Sequence, residues 1–172
     1  NFFKSQYQLY ADIFSNSNQI LMPQSLVKNY VHIVFSTKHR YPFLKEPAIR
    51  EELFSYIGGI CKNNECYPIC VGGYIAHIHV LCLLSRKMAL MDLIQEVKTH
   101  ASKWDKTKGV IYHQFYWQHG YASFSVNQSQ INRVKNYILT QEEHHAKVYF
   151  QDEYLSFLKK SEIEYDKQYV WD

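Results

Sequence analysis

A chain of 172 residues with 47% hydrophobic residues is long enough to bury one core and short for two, so one domain is expected. Six Gly, four Pro and 16% aromatic residues, with no repeat or low-complexity run, argue against disorder except at the ends. The net charge of +3 sits mainly between Met22 and Val110, which suits an anionic partner but falls short of the polybasic arm of an unspecific duplex binder.

In chain order, residues 1–21 are polar and aromatic without a clear period, and they read as an extension of uncertain order ahead of a domain over 22–172. Asn29 to Thr37 alternates as a strand, with Val31, Ile33 and Phe35 on one face and Tyr30, His32, Val34 and Ser36 on the other. The loop Lys38-His39-Arg40-Tyr41-Pro42 follows; its cations and Tyr suit a phosphate backbone and a stacked base, and a solvated loop explains them equally well. Glu46 to Asn64 carries Ile49, Leu53, Phe54, Ile57 and Ile60 at helical spacing. Cys66 to Val71 reads as a second strand, Gly72-Gly73 as a turn or bulge, and Tyr74 to Leu84 as its antiparallel neighbour. Ala89 to Lys108 is a second helix, burying Leu90, Leu93, Ile94, Val97, Ala101 and Trp104 and leaving Lys98, Lys103, Lys106 and Lys108 on a solvated face.

After the aromatic segment from Phe115 to Tyr121, Ala122 to Val126 reads as a fourth strand. The order β-α-β-β-α-β predicts an α+β, ferredoxin-like split βαβ fold: an antiparallel sheet with two helices on one face and the other face open to a ligand or partner. A last helix from about Gln128 to His145 is expected, capped by Asn127 with Gln130 in the capping-box position. Ile131, Val134 and Ile138 form its buried stripe, and Tyr137 and Gln141 sit one turn apart on an adjoining edge.

Within the third strand, period-two alternation aims His77 and His79 at one spot, a geometry that can grip a divalent metal. A chance pair in a chain with nine His stays open as the alternative. Cys61, Cys66, Cys70 and Cys82 lack the paired spacing of a structural zinc site. With no signal-peptide pattern and no apolar run of transmembrane length, a cytoplasmic location is expected, where these thiols stay reduced.

Taken together, His77-Ile78-His79, the Ala122-Ser-Phe-Ser-Val126 strand, Tyr137-Ile138-Leu139-Thr140-Gln141 and the His144-His145 pair resemble the single-tyrosine HUH transposases of small bacterial insertion sequences and their repeat-associated relatives. The likeness runs from about Met22 to Trp171. It implies that His77, His79 and Gln141 hold Mg²⁺ or Mn²⁺, and that Tyr137 attacks single-stranded DNA to leave a 5′-phosphotyrosine and a free 3′-hydroxyl. It further implies a homodimer acting on hairpin-bearing strands, and favours a composite site in which the helix of one chain serves the His pair of the other. Lys38, His39 and Arg40 are expected to add DNA affinity without chemistry. Two other readings remain: a non-catalytic module that binds hairpins or single strands, and a metal-dependent hydrolase using a water nucleophile.

Overall fold

The structure, a computed structural model, describes residues 26–171; the expected extension over 1–21 lies outside them. Strands β1 (Tyr30–Ser36), β2 (Tyr67–Tyr74), β3 (His77–Leu83) and β4 (Ala122–Ser125) form one antiparallel sheet in the order β2-β3-β1-β4. Helix α1 (Pro47–Asn63) joins β1 to β2, and α2 (Leu90–Asp105) joins β3 to β4. This is the ferredoxin-like order expected from the sequence, with boundaries displaced by a residue or two at most of the expected ends.

The main core follows from the pleat. Val31, Ile33 and Phe35 of β1 and Ile78, Val80 and Cys82 of β3 all point to one side, where Leu53, Ile57 and Ile60 of α1 and Leu93, Ile94, Val97 and Ala101 of α2 cover them. Lys98, expected on a solvated face, instead donates to the carbonyls of Gln118, His119 and Gly120 at 2.8, 3.0 and 2.8 Å. It holds the loop that leads into β4, and its burial lowers its pKa to about 8.

The two glycines do not form the turn. Gly72 and Gly73 lie inside β2, and the chain reverses at Ile75-Ala76. At Gly73, φ is +152° and a Cβ would collide with the His77 carbonyl, so the close hairpin needs glycine there. At Gly72 a Cβ would lie 2.6 Å from the Ile138 carbonyl oxygen, because a later helix packs directly on the bare strand.

That later helix overturns the expected open face. The single helix expected over Gln128 to His145 is broken into a 3-10 turn at Gln128–Gln130, α3 (Ile131–Leu139) and α4 (Gln141–His145). Asn127 caps the turn as anticipated, accepting from the Ser129 amide, whereas Gln130 makes no capping bond. Thr140 leaves helical geometry at φ −104°, ψ 24°, and its hydroxyl donates to the Asn136 carbonyl at 3.0 Å, a back-bond that bends helices. Of the predicted stripe only Ile138 is fully buried. A further helix, α5 (Phe150–Lys160), then crosses the second sheet face, and its Tyr154 and Leu158 cluster with Val34, Ala122, Phe124 and Phe150. Each such side chain contributes roughly 1.5–3 kcal/mol on burial, which outweighs leaving the face to solvent.

Candidate metal and nucleophile site

The site lies between the second sheet face and α3–α5. His77 and His79 project from β3 as the pleat requires, 1% and 0% exposed, with ring centroids 5.0 Å apart and planes at 84°. Beside them stands His32 of β1, whose Nε2 is 2.9 Å from His79 Nδ1 in a stacked pair. If Nδ1–H of His79 is the donor in that bond, the lone pair of His79 Nε2 is turned into the cluster. That Nε2 is buried without a hydrogen-bond partner.

The bend at Thr140 swings Gln141 inward to 1% exposure. Its Oε1 lies 2.9 Å from both His77 Nε2 and His145 Nε2, and the two imidazole nitrogens are 3.1 Å apart. His145 is oriented by its Nδ1–H, which donates to the Val148 carbonyl at 2.7 Å, and by stacking on Tyr74. Arg50 of α1 ties α4 down, pairing with Glu142 at 3.1 Å across that same Tyr74 ring.

From α5 comes Glu153, 4% exposed. One carboxylate oxygen, Oε1, accepts from the Tyr137 hydroxyl and from Gln141 Nε2, the latter at 3.0 Å. The other, Oε2, has no hydrogen-bond partner and lies 3.3 Å from His145 Nε2, 3.7 Å from His79 Nε2 and 3.9 Å from His77 Nε2.

Electrostatics follow from this crowding. Burial, joined by the neighbouring His79, lowers His32 to about 3 and holds His77 well below 6.5, so both are neutral and His77 is free to donate a lone pair. Burial alone would raise the Glu153 carboxyl, but contacts with His145 and His79 hold it well below the carboxylate range. Tyr137 moves the other way: burial first, then the Glu153 charge, push its phenol well above 10. Imidazole nitrogens and an amide oxygen 2.9–3.1 Å apart, beside a buried His79 Nε2 without a hydrogen bond, are a donor set that fits a divalent cation.

Against known proteins, the family of IS200-like transposases matches residues 25–141. The chain belongs to this family. Its sequence finds no significant match among curated proteins. Its fold is similar to that of a protein described as a transposase from Deinococcus radiodurans R1, with a TM-score of 0.55 at 16% identity over 70% of this chain and 95% of that one. It is also similar to a REP-associated tyrosine transposase bound to a REP hairpin, with a TM-score of 0.54 at 14% identity over 74% of each chain. At these identities the likeness is one of fold.

Of the residues singled out in this transposase from sequence, His77, His79, Gln141 and Tyr137 meet in one cluster. Tyr137 packs edge-on to His79 of its own chain at 6.0 Å, so a single chain brings the tyrosine and the His pair together. Tyr137 borders a cleft of about 550 Å³ lined also by Arg133, Lys160 and Asp152. Lys38, His39 and Arg40 form a separate turn after β1, with left-handed φ of 56° and 57° at the last two. Lys38 and His39 are exposed, whereas Arg40 is half-buried with its guanidinium 5.1 Å from the Trp171 ring.

Sequence reasoning misses His32 and Glu153, and offers His145 only as one of the His144-His145 pair within a turn of Gln141. The signal for Glu153 is present: Phe150, Tyr154, Phe157 and Leu158 follow helical spacing, and Glu153 falls on their apolar face. Among the described residues no helix is long and apolar enough to cross a membrane.

Proposed function

We propose that this transposase cleaves and rejoins single-stranded DNA through a covalent link to Tyr137, with Mg²⁺ or Mn²⁺ held by His77, His79 and Gln141. The observation that carries this reading is the packing of the Tyr137 ring on His79, beside the buried contact of His77 with Gln141. A bound divalent cation supplies positive charge that eases ionisation of the phenol and polarises the scissile phosphate. His32 fixes the ring of His79, and Gln141 spans from His77 to the helix of the nucleophile. Phe157, 5.7 Å from the Tyr137 ring and nearly perpendicular to it, restrains the phenol. Tyr137 Oη forms a bond to phosphorus as the bond to the 3′-oxygen breaks, which leaves a 5′-phosphotyrosine and a 3′-hydroxyl. Because that ester is retained, a later 3′-hydroxyl can reverse the step without ATP.

The cleft beside Tyr137, with Arg133 and Lys160, suits the phosphates that flank the reacting one. Lys38, His39 and Arg40 are proposed to hold DNA farther along. A hairpin-bearing strand is the proposed substrate, by analogy with the REP hairpin on the structural relative. We take the protein to act in the cytoplasm as a homodimer, each chain using its own tyrosine, with residues 22–172 as one domain.

The test is incubation of single-stranded hairpin DNA with the protein and Mn²⁺, followed by denaturing electrophoresis. A slower, covalent protein–DNA band is expected, absent with chelator and in Tyr137→Phe. A band that persists in Tyr137→Phe refutes the nucleophile. Cut DNA with no covalent band favours a water nucleophile, and binding without cutting favours a non-catalytic module.

A further inference from the structure

The region the chain shares with its family ends at residue 141, yet two of the donor groups in the cluster lie beyond it, on His145 and Glu153. The Glu153 contacts to Tyr137 and Gln141 use Oε1 alone. If the residue served only to accept those bonds, Oε2 would be expected to find a partner or solvent of its own. Instead it is buried without a hydrogen bond, and it faces three imidazole nitrogens at 3.3, 3.7 and 3.9 Å. A buried carboxylate oxygen in that state is costly unless something positive meets it.

The spacings say what that is. Donors about 2.1 Å from one octahedral cation lie about 3 Å apart when adjacent and about 4.2 Å apart when opposite. The contacts among His77 Nε2, His145 Nε2, Gln141 Oε1 and Glu153 Oε2 run from 2.9 to 3.9 Å. His77, His79 and Glu153 can likewise place their ligand atoms within 4.8 Å of one another. Charge points the same way: imidazoles and an amide leave a divalent ion uncompensated, and Glu153 is the carboxylate within reach of them.

We propose that Glu153 is the anionic ligand of the divalent cation, through Oε2, with His145 as a further nitrogen ligand beside it. The proposal rests on the metal-dependent reading above and extends its donor set from three residues to five. It makes α5 a part of the metal site. It also makes that site nitrogen-rich with a single carboxylate, a composition that prefers Mn²⁺ to Mg²⁺.

The full chain is titrated with Mn²⁺ by calorimetry and with Co²⁺ by visible absorption, as wild type, Glu153→Gln, Glu153→Asp, Asp152→Asn and His77→Ala with His79→Ala. Glu153→Gln keeps the shape of the side chain and is expected to weaken Mn²⁺ binding at least about a hundredfold, since losing a group that merely orients a ligand already costs about 10–100-fold. Its Co²⁺ bands should shift, a change that a purely structural role would not produce. Asp152→Asn removes an equal charge one residue away and should bind as wild type, and Glu153→Asp should fall between. Circular dichroism without metal verifies folding of each variant, and Glu153→Asp carries the test if Glu153→Gln fails to fold. Wild-type affinity and an unchanged Co²⁺ spectrum in the Glu153 variants overturn the proposal. If the double His variant then still loses binding, the metal-dependent reading stands without Glu153. A wild type that binds no Mn²⁺ refutes both.

Discussion

Replacing Gly72 with alanine should disable the site without touching any residue in it. The new Cβ would sit 2.6 Å from the Ile138 carbonyl oxygen and 2.7 Å from Ile138 Cγ2, and ordinary contact begins at 3.4 Å, so α3 must back away from β2 by about 0.8 Å. The obstacle is backbone, which cannot rotate aside. Overpacking of this kind costs about 1–3 kcal/mol, and at this chain length each kcal/mol lowers Tm by roughly 2–4 °C. The larger effect is on chemistry, because Tyr137 precedes Ile138 and moves with it while His77 and His79 stay on β3. A misplacement near 1 Å costs about a hundredfold in rate. Single-turnover formation of the covalent protein–DNA band measures that rate, with circular dichroism to verify the fold. Gly59→Ala is the matched control: nothing lies within 4 Å of its Cβ, and an alanine inside α1 should stabilise by about 0.5–1 kcal/mol. If Gly72→Ala cleaves at the wild-type rate, close docking of α3 on β2 does not position the tyrosine.

His32→Phe keeps a ring of similar shape but no nitrogen for His79, and calorimetry should show Mn²⁺ affinity lower by about 10–100-fold; unchanged affinity would mean that His79 needs no partner to hold its tautomer. Asp105 is buried with both oxygens unpartnered, and burial raises its pKa to about 7, so folding favours the protonated acid. Its stabilising share is therefore full below the usual value near 3.8 and falls as pH rises to about 7; Asp105→Asn should raise Tm at pH 8 and flatten thermal melts across that window, and equal melting at pH 8 would contradict this. Lys38→Ala should make the salt dependence of single-strand affinity shallower by about 0.7 in log–log slope, whereas Arg40→Ala, whose guanidinium lies on Trp171, should lower Tm as well; an unchanged slope for Lys38→Ala assigns that cation to solvent. Mixing His77→Ala/His79→Ala protein with Tyr137→Phe protein should restore no cleavage despite subunit exchange, and recovered covalent DNA on the His-mutant chain would establish a composite site.

How much of this was legible in the sequence depends on the range of the interaction involved. The sheet was readable because its information is local: Val31, Ile33 and Phe35 alternate within β1, and the same period places His77 and His79 together. The glycines misled for a physical reason. Gly72-Gly73 has the composition of a turn, but the need for small residues there comes from Ile138, 66 positions beyond Gly72, and from the neighbouring strand. Lys98 was misread likewise, since the carbonyls it holds belong to a loop 20 residues on.

The site divides along the same line. Tyr137 and Gln141 lie one turn apart by helix geometry alone, and even the bend at Thr140 leaves them in contact, with Gln141 Nε2 at 3.5 Å from the Tyr137 carbonyl. Glu153 was not legible by that route. Its helix is too apolar on one face to stay in solvent, and covering the sheet with Tyr154 and Leu158 drives the carboxylate just before them onto the His pair. A sequence pattern identifies α5 as amphipathic but does not say which face of the sheet it covers. The charge at position 153 on its apolar stripe is itself the clue: an acid where burial disfavours it demands a partner, and three imidazoles supply the place for one.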